Sequence, residues 1–161
     1  MIGQVALLAI FTAHNAEEIA FGTLGAQPDP RLLSRLGLSA IDYRADRMAI
    51  ATAALTVVVA CATTAVDTPR TRTAGYLAIG TAGALAANGA GHLLRAAVLG
   101  RYNPGAVTAP ALLAASISVI RAVHRRDRIT VGRTALALVA GAAASVPAIV
   151  AALHGARWFR P

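Results

Sequence analysis

The sequence is poor in charged and aromatic residues. Only 14% of its 161 residues are Asp, Glu, Lys or Arg, whereas 57% are hydrophobic and the mean hydropathy is +0.61. A water-soluble domain of this size needs a larger polar surface, so the composition predicts an integral membrane protein. Aromatic residues make up only 4% of the chain, which leaves no platform on which nucleic-acid bases could stack.

Lysine is absent and cysteine occurs once. All fifteen basic residues are arginine, against seven acidic residues, and the formal net charge is +8. The arginines lie in short clusters between apolar stretches, a pattern typical of contacts with lipid headgroups. We therefore expect the lipid bilayer, and no nucleic acid, as a partner. The single cysteine, Cys61, excludes a disulfide within the chain.

Five apolar stretches are long enough to cross a hydrocarbon core of about 30 Å, which takes about 20 helical residues. They lack the alternation typical of barrel strands, and the N-terminus lacks the basic segment of a signal peptide. The sequence therefore predicts an all-α, polytopic helical bundle that forms one membrane domain over residues 1–161. The predicted spans are residues 2–24, 48–66, 75–99, 105–123 and 132–153.

The arginines do not orient this bundle. Five spans place the N-terminal side, called side A, opposite the C-terminal side, called side B. By this count, seven of the fifteen arginines fall on side A and eight on side B, a difference that decides nothing under the positive-inside rule. The dense cluster after the fourth span favours side A as the cytoplasmic side, and the cell membrane is the expected location.

The first span contains the polar segment HNAEE, residues 14–18. At about 100° per residue, His14, Glu17 and Glu18 share one sector of the helix. A charged residue in a span costs on the order of 2.5–3.5 kcal/mol, yet these are the only two glutamates in the chain. The apolar run resumes after them, which argues against a simple exit of the helix into water. Ionisable groups at this depth predict a functional site.

A second polar set lies on the third span. Asn88 and His92 share a helical face, and Arg95 falls within about 60° of both. The first and third spans both run from side A to side B, and a rise of about 1.5 Å per residue brings this set to the depth of the first. We therefore expect the two sets to face each other in one polar layer. The following turn, RYNPG, would place Tyr102 and Asn103 at its mouth.

Taken in order, these segments resemble the motifs of the HXXEE family of integral membrane proteins. Residues 14–18 match H-x-x-E-E, residues 88–92 match N-x-x-x-H and residues 102–105 match Y-x-P-G. The resemblance covers residues 14–105 by motif and the rest of the chain by hydropathy. It implies the membrane architecture and the position of the site. The family is defined by its motifs and has no established activity, so the resemblance implies no reaction.

The polar layer predicts, first, an intramembrane enzyme that acts on a lipid-like or apolar substrate. Two adjacent carboxylates discourage double ionisation, so one can serve as an acid and the other as a base. The catalytic candidates are His14, Glu17, Glu18, Asn88 and His92. The substrate-binding candidates are Arg95, Tyr102 and Asn103. The loop of residues 25–47 is long enough to form a lid over the layer.

The same residues also suit a metal-assisted reaction. Two histidines and two carboxylates are sufficient ligands for one Zn or Fe ion with an open position. The ligand candidates are His14, Glu17, Glu18 and His92. Asp42 or Asp46 would join them only if the first loop folded back into the bundle.

Two other classes of function remain open. One is a small proton- or ion-coupled transporter or channel, for which an oligomer would compensate for the few spans. The other is a structural membrane protein whose polar layer fixes the pairing of helices. An interhelical hydrogen bond contributes only about 0.6–2 kcal/mol, which compensates poorly for two buried glutamates.

Local patterns add three expectations. Small residues recur every four positions from Gly83 to Gly91, which predicts a close helix approach. Pro147 is expected to kink the fifth span. Ser39 and Asp42 have the spacing of a helix-capping pair.

Overall fold

A computed structural model describes residues 3–22, 29–64, 66–67 and 71–159, and these residues form only helices and turns. The prediction of an all-α fold is confirmed. The α-helices are α1 (Gln4–Phe21), α2 (Pro30–Arg35), α3 (Ala45–Ala62), α4 (Arg72–Leu99), α5 (Ala109–Arg126) and α6 (Val131–Ala156). Short 3₁₀ turns lie at Ala40–Tyr43 and Arg157–Phe159.

Each of the five long helices coincides with one predicted span, with its ends shifted by a few residues. Residues 2, 23 and 24 of the first predicted span lie outside the described residues. The largest shifts are at the end of α3, which ends at Ala62, and at the start of α5. The latter begins at Ala109 because residues 104–108 form turns. The short helix α2 was not predicted. It begins where the Asp29 carboxylate accepts a hydrogen bond from the N–H of Arg31, with Pro30 in its first turn.

Two helical segments in the described residues have the length and hydropathy of a membrane span. They are Ala45–Ala62, with a mean hydropathy of 1.6, and Val131–Phe159, with 2.2. Both face outward, since only 22% and 6% of the residues in their apolar windows are buried. The other three long helices do not have both the length and the hydropathy of a membrane span. In α1 the segment HNAEE lowers the hydropathy, and in α5 the basic last turn does so.

Glycines bring α4 and α6 into close contact. A Cβ on Gly141 would lie inside the backbone of Gly80, and a Cβ on Gly83 would clash with Leu138. The predicted small-residue face is therefore right at Gly83 but wrong at Gly91, where a Cβ would meet nothing within 4 Å. Gly91 lies beyond the crossing. The α6 helix is continuous through its internal proline.

The main apolar core lies between α1, α4 and α5, and it fixes these helices relative to one another. Its fully buried large side chains are Leu7, Ile79, Leu112, Val119 and Val123. A second cluster, which includes Leu33, Leu38 and Leu153, ties the first loop to α3 and α6. The polar layer described below lies where the first core ends.

The described part of the first loop is held by an ion pair network. Ser39 and Asp42 form the expected capping box. The Asp42 carboxylate, which is fully buried, also accepts hydrogen bonds from the guanidinium groups of Arg47 and Arg157. This network fastens the loop to α3 and to the end of α6. The first residues of the expected lid, 25–28, lie outside the described residues.

Candidate functional site

His14 is the most buried polar residue of α1, with no exposed surface, and it connects two other elements. The Asn88 amide nitrogen on α4 lies 3.0 Å from its Nε2 atom. The Thr108 hydroxyl, just before α5, lies 2.8 Å from its Nδ1 atom. The expected contact between the first and third predicted spans is therefore present.

Glu18 lies between two imidazoles. One carboxylate oxygen is 3.0 Å from Nε2 of His92, and the other is 3.9 Å from Nε2 of His14. The two rings stand edge to face, with centroids 4.9 Å apart and an interplanar angle of 83°. The side chains of Glu18 and His92 remain 23% and 16% exposed, so this cluster opens to the outside.

Glu17 makes very different contacts, although it is the neighbouring residue. Its carboxylate accepts five hydrogen bonds from the loop between α4 and α5. The donors are the hydroxyls of Tyr102 (2.8 Å) and Thr108 (2.7 Å) and the backbone N–H groups of Gly105 (3.0 Å), Val107 (3.1 Å) and Thr108 (2.9 Å). We expected both glutamates to be catalytic and metal-ligand candidates, but the acceptor sites of Glu17 are filled by the loop.

These contacts set the proton positions on His14. The Thr108 hydroxyl donates its hydrogen bond to the Glu17 carboxylate, at 2.7 Å. The hydroxyl oxygen can therefore only accept from His14, which must carry its hydrogen on Nδ1. The lone pair of a neutral His14 then lies on Nε2 and points toward Asn88 and Glu18. Glu17 therefore orients His14 through Thr108, without touching it.

The loop reaches the imidazoles because residue 105 is glycine. Gly105 has φ of +89°, and a Cβ there would lie 2.8–2.9 Å from ring atoms of both His14 and His92. Asn103, which is buried, places its amide nitrogen 2.9 Å from Nδ1 of His92 and donates to the carbonyl of Pro104. The motif Y-x-P-G thus packs directly on the histidines of the other two motifs.

All three sequence motifs therefore contribute to one polar site. A family profile described as "Protein of unknown function with HXXEE motif" matches residues 5–119. The chain belongs to the HXXEE family. The match runs from α1 into α5 and includes every polar residue of this site. Searches of curated proteins and of solved structures found no match.

The site of this HXXEE protein also contains a residue that the motifs did not predict. Thr108 links Glu17 to His14, yet it lies outside all three motifs. A threonine just before an apolar run with a proline in its first turn is a signal for a helix N-cap. Thr108 does hold that position, but its hydroxyl bonds to Glu17 and makes no cap within its own helix.

Other predicted residues lie at the edge of the site or elsewhere. Tyr102 is 38% exposed and its ring stands edge to face with Phe21. Burial and the bond to Glu17 raise the pKa of Tyr102 to about 12, so the phenol keeps its proton. Arg95 is exposed on α4, one turn after His92, and its substrate role stays a prediction.

The two aspartates of the first loop do not complete the ligand set of this HXXEE protein. Asp42 binds Arg47 and Arg157, and Asp46 pairs with Arg44 at 3.5 Å. Among the described residues, the one group of three side chains that could hold a metal ion is His14, Glu18 and His92. The loop packs on α3 and α6 through its own apolar cluster, which keeps the aspartates away from the histidines.

Proposed function

We propose that this HXXEE protein is an integral membrane enzyme that acts on a lipid-like substrate at His14, Glu18 and His92. The observation that carries the proposal is the division of the glutamate pair. Glu17 is saturated by five donors, whereas Glu18 faces two imidazoles and keeps an exposed edge. Glu17 alone would be enough to pair the helices. A polar layer with only that role would not need Glu18, a second carboxylate that is partly exposed.

The surface of the helices supports a membrane location. Large apolar side chains along α6 are exposed, including Leu136 (69%), Val139 (67%) and Ile149 (41%). Each square ångström of such surface costs about 25 cal/mol in water, and a core helix of a soluble protein would bury it. In a bilayer the same surface is solvated by lipid tails. At about 1.5 Å per residue, even the 18-residue helices approach the thickness of a hydrocarbon core.

We extend this location to all five long helices. His14 and Glu18 reduce the hydropathy of α1, and Asn88 and His92 reduce that of α4. These four residues face one another and have partners inside the bundle. Polar groups with internal partners are the ones that membrane helices tolerate. The arrangement is thus five spans, with the cell membrane as the expected compartment.

The chemistry available to the cluster is acid–base catalysis. Nε2 of His92 and an oxygen of Glu18 are close enough to share a proton, and the lone pair of His14 faces the same space. A carboxylate and an imidazole in a low-dielectric site can accept a proton from a substrate hydroxyl or water and return it to a leaving group. The exposed rings of Phe21 and Tyr102 beside the opening suit an acyl chain.

The test compares membranes of a host that expresses the wild type with membranes that contain Glu18→Gln. Untargeted lipid mass spectrometry should find a lipid consumed or formed with the wild type only. His124→Gln is the matched control, because His124 bonds to Thr134 outside the site, and it should behave like the wild type. Identical lipid profiles for all three proteins, each inserted and monodisperse, would contradict the enzyme proposal. Glu18-dependent proton flux in liposomes, with unchanged lipids, would indicate a carrier instead.

Membrane integration is tested separately by extraction of the host membranes with alkaline carbonate. The protein should stay in the pellet, because its outward apolar surface is solvated by lipid and not by water. Release into the supernatant would overturn the membrane location.

A further inference from the structure

We propose that Nε2 of His14, a carboxylate oxygen of Glu18 and Nε2 of His92 bind one divalent transition metal ion, Zn²⁺ or Fe²⁺. This inference rests on the proposed function in that it concerns the same cluster and gives it a cofactor. Imidazole and carboxylate donors without a thiolate suit these two ions, whereas Mg²⁺ and Ca²⁺ prefer oxygen ligands alone.

The spacing of the three donor atoms fits a metal ion. All three lie within 4.8 Å of one another. Nε2 of His92 is 3.0 Å from one Glu18 oxygen, and Nε2 of His14 is 3.9 Å from the other. Two ligands of a tetrahedral ion at about 2.1 Å are about 3.4 Å apart. The Glu18 carboxylate is partly exposed, so it can rotate to bring one oxygen within reach of both Nε2 atoms. Three protein ligands leave open coordination positions on the exposed side of the cluster.

The surroundings of His14 resemble those of a metal ligand. A histidine that binds a metal usually donates its other ring N–H to a carboxylate, a carbonyl or water, which fixes the ring and its tautomer. Nδ1 of His14 donates to Thr108, and Thr108 in turn donates to the carboxylate of Glu17. At His92 the Asn103 amide nitrogen, a donor, lies 2.9 Å from Nδ1, so Nε2 carries the hydrogen of the neutral ring and must lose it when a metal binds. Both Nε2 atoms are thus directed into the cluster.

One hydrogen bond must give way when the metal binds. The amide of Asn88 donates to the same Nε2 lone pair of His14 that a metal would take. Asn88 therefore competes with the ion and stabilises the empty cluster. The two residues should therefore affect metal affinity in opposite directions. Loss of His14 removes a ligand, whereas loss of Asn88 removes a competitor for the same lone pair. When bound, the ion would supply a Lewis acid at the mouth of the site.

The experiment titrates the full chain, purified in detergent and stripped with a chelator, with Zn²⁺ and separately with Fe²⁺ without oxygen. We expect one ion per chain for the wild type. Glu18→Gln and His92→Gln should weaken binding by more than the about 10–100-fold that loss of an outer partner causes. Thr108→Val should fall within that smaller range, and Asn88→Ala should bind at least as tightly as the wild type.

His124→Gln is the control for a histidine outside the cluster and should keep full binding. Each variant is compared only if it elutes as the wild type does, and Co²⁺ absorption of the wild type reports the coordination geometry directly. No ion on the wild type, or equal binding by wild type, Glu18→Gln and His92→Gln, would overturn the metal proposal.

The outcomes also separate this inference from the enzyme proposal. A Glu18-dependent lipid change by a wild type that binds no ion in the titration would overturn the metal site and leave the enzyme proposal standing. If one ion binds through the three residues but no lipid changes, the metal site stands and the enzyme proposal is overturned.

Discussion

Glu17 and Thr108 are joined by two hydrogen bonds to one carboxylate oxygen, from the backbone N–H at 2.9 Å and from the hydroxyl at 2.7 Å. They lie 91 residues apart in the chain, and their contact fastens α1 to the start of α5. The same hydroxyl accepts from His14. A helix-to-loop attachment and the orientation of a candidate reactive histidine therefore depend on the same threonine.

The two glutamates should differ in their effect on stability. Glu17→Ala leaves several donors of the loop without a partner, and each unsatisfied buried donor costs about 1–3 kcal/mol. We expect a loss of at least about 3 kcal/mol in the free energy of unfolding, measured by denaturation in detergent. Glu18→Gln should stay within about 1 kcal/mol of the wild type, because Glu18 is partly exposed. Equal losses for both variants would contradict the division of roles.

Gly105→Ala adds only one methyl group, but it should disrupt the site strongly. The new Cβ would meet both imidazoles, and the backbone at φ of +89° is one that L side chains rarely adopt. The loop must move off the histidines, so we expect loss of metal binding and a lower melting temperature. Gly100→Ala is the matched control, since Gly100 also has a positive φ but its Cβ would meet nothing within 4 Å. It should lower the melting temperature while it keeps binding.

The Asp42 network predicts a loss of stability in acid. Hydrogen bonds from Arg157 hold the pKa of Asp42 far below its usual range. A depressed folded-state pKa contributes stability that is fully present above the unfolded value of about 4 and is lost as the pH falls below it. The melting temperature of the wild type should therefore approach that of Asp42→Asn as the pH drops from about 6 to about 3. A constant difference between the two across this range would contradict the prediction.

The crossing of α4 and α6 predicts a position-specific effect of a single methyl group. Gly141→Ala places a Cβ against the backbone of Gly80, and we expect a loss of about 2–3 kcal/mol, in the range of overpacked cores. Gly132→Ala, in the first turn of the same helix, meets nothing within 4 Å and should be neutral or slightly stabilising. Equal stability of the two variants, measured by denaturation in detergent, would show that the helices do not cross there.

Several features followed from the sequence because they depend on local patterns. Apolar runs and their polar breaks located the five long helices to within a few residues, since hydrophobicity and length act locally. The helical period placed His14, Glu17 and Glu18 on one sector, and the matching positions of Asn88 and His92 predicted the contact between the two helices. The capping pair Ser39 and Asp42 was also readable, because its residues are three positions apart.

The tertiary structure alone decided what each polar residue contacts. Glu17 and Glu18 are adjacent and chemically identical, and only the loop of Gly105 and Thr108, which folds back over α1, distinguishes them. The same holds for the crossing at Gly80, which depends on where α6 lies against α4. Local sequence fixes the period and the polarity of a helix, but contacts between residues some 60 to 90 positions apart depend on how the helices pack. For this protein, helix positions and motif residues were readable from the sequence, and the separate roles of the two glutamates were set by packing.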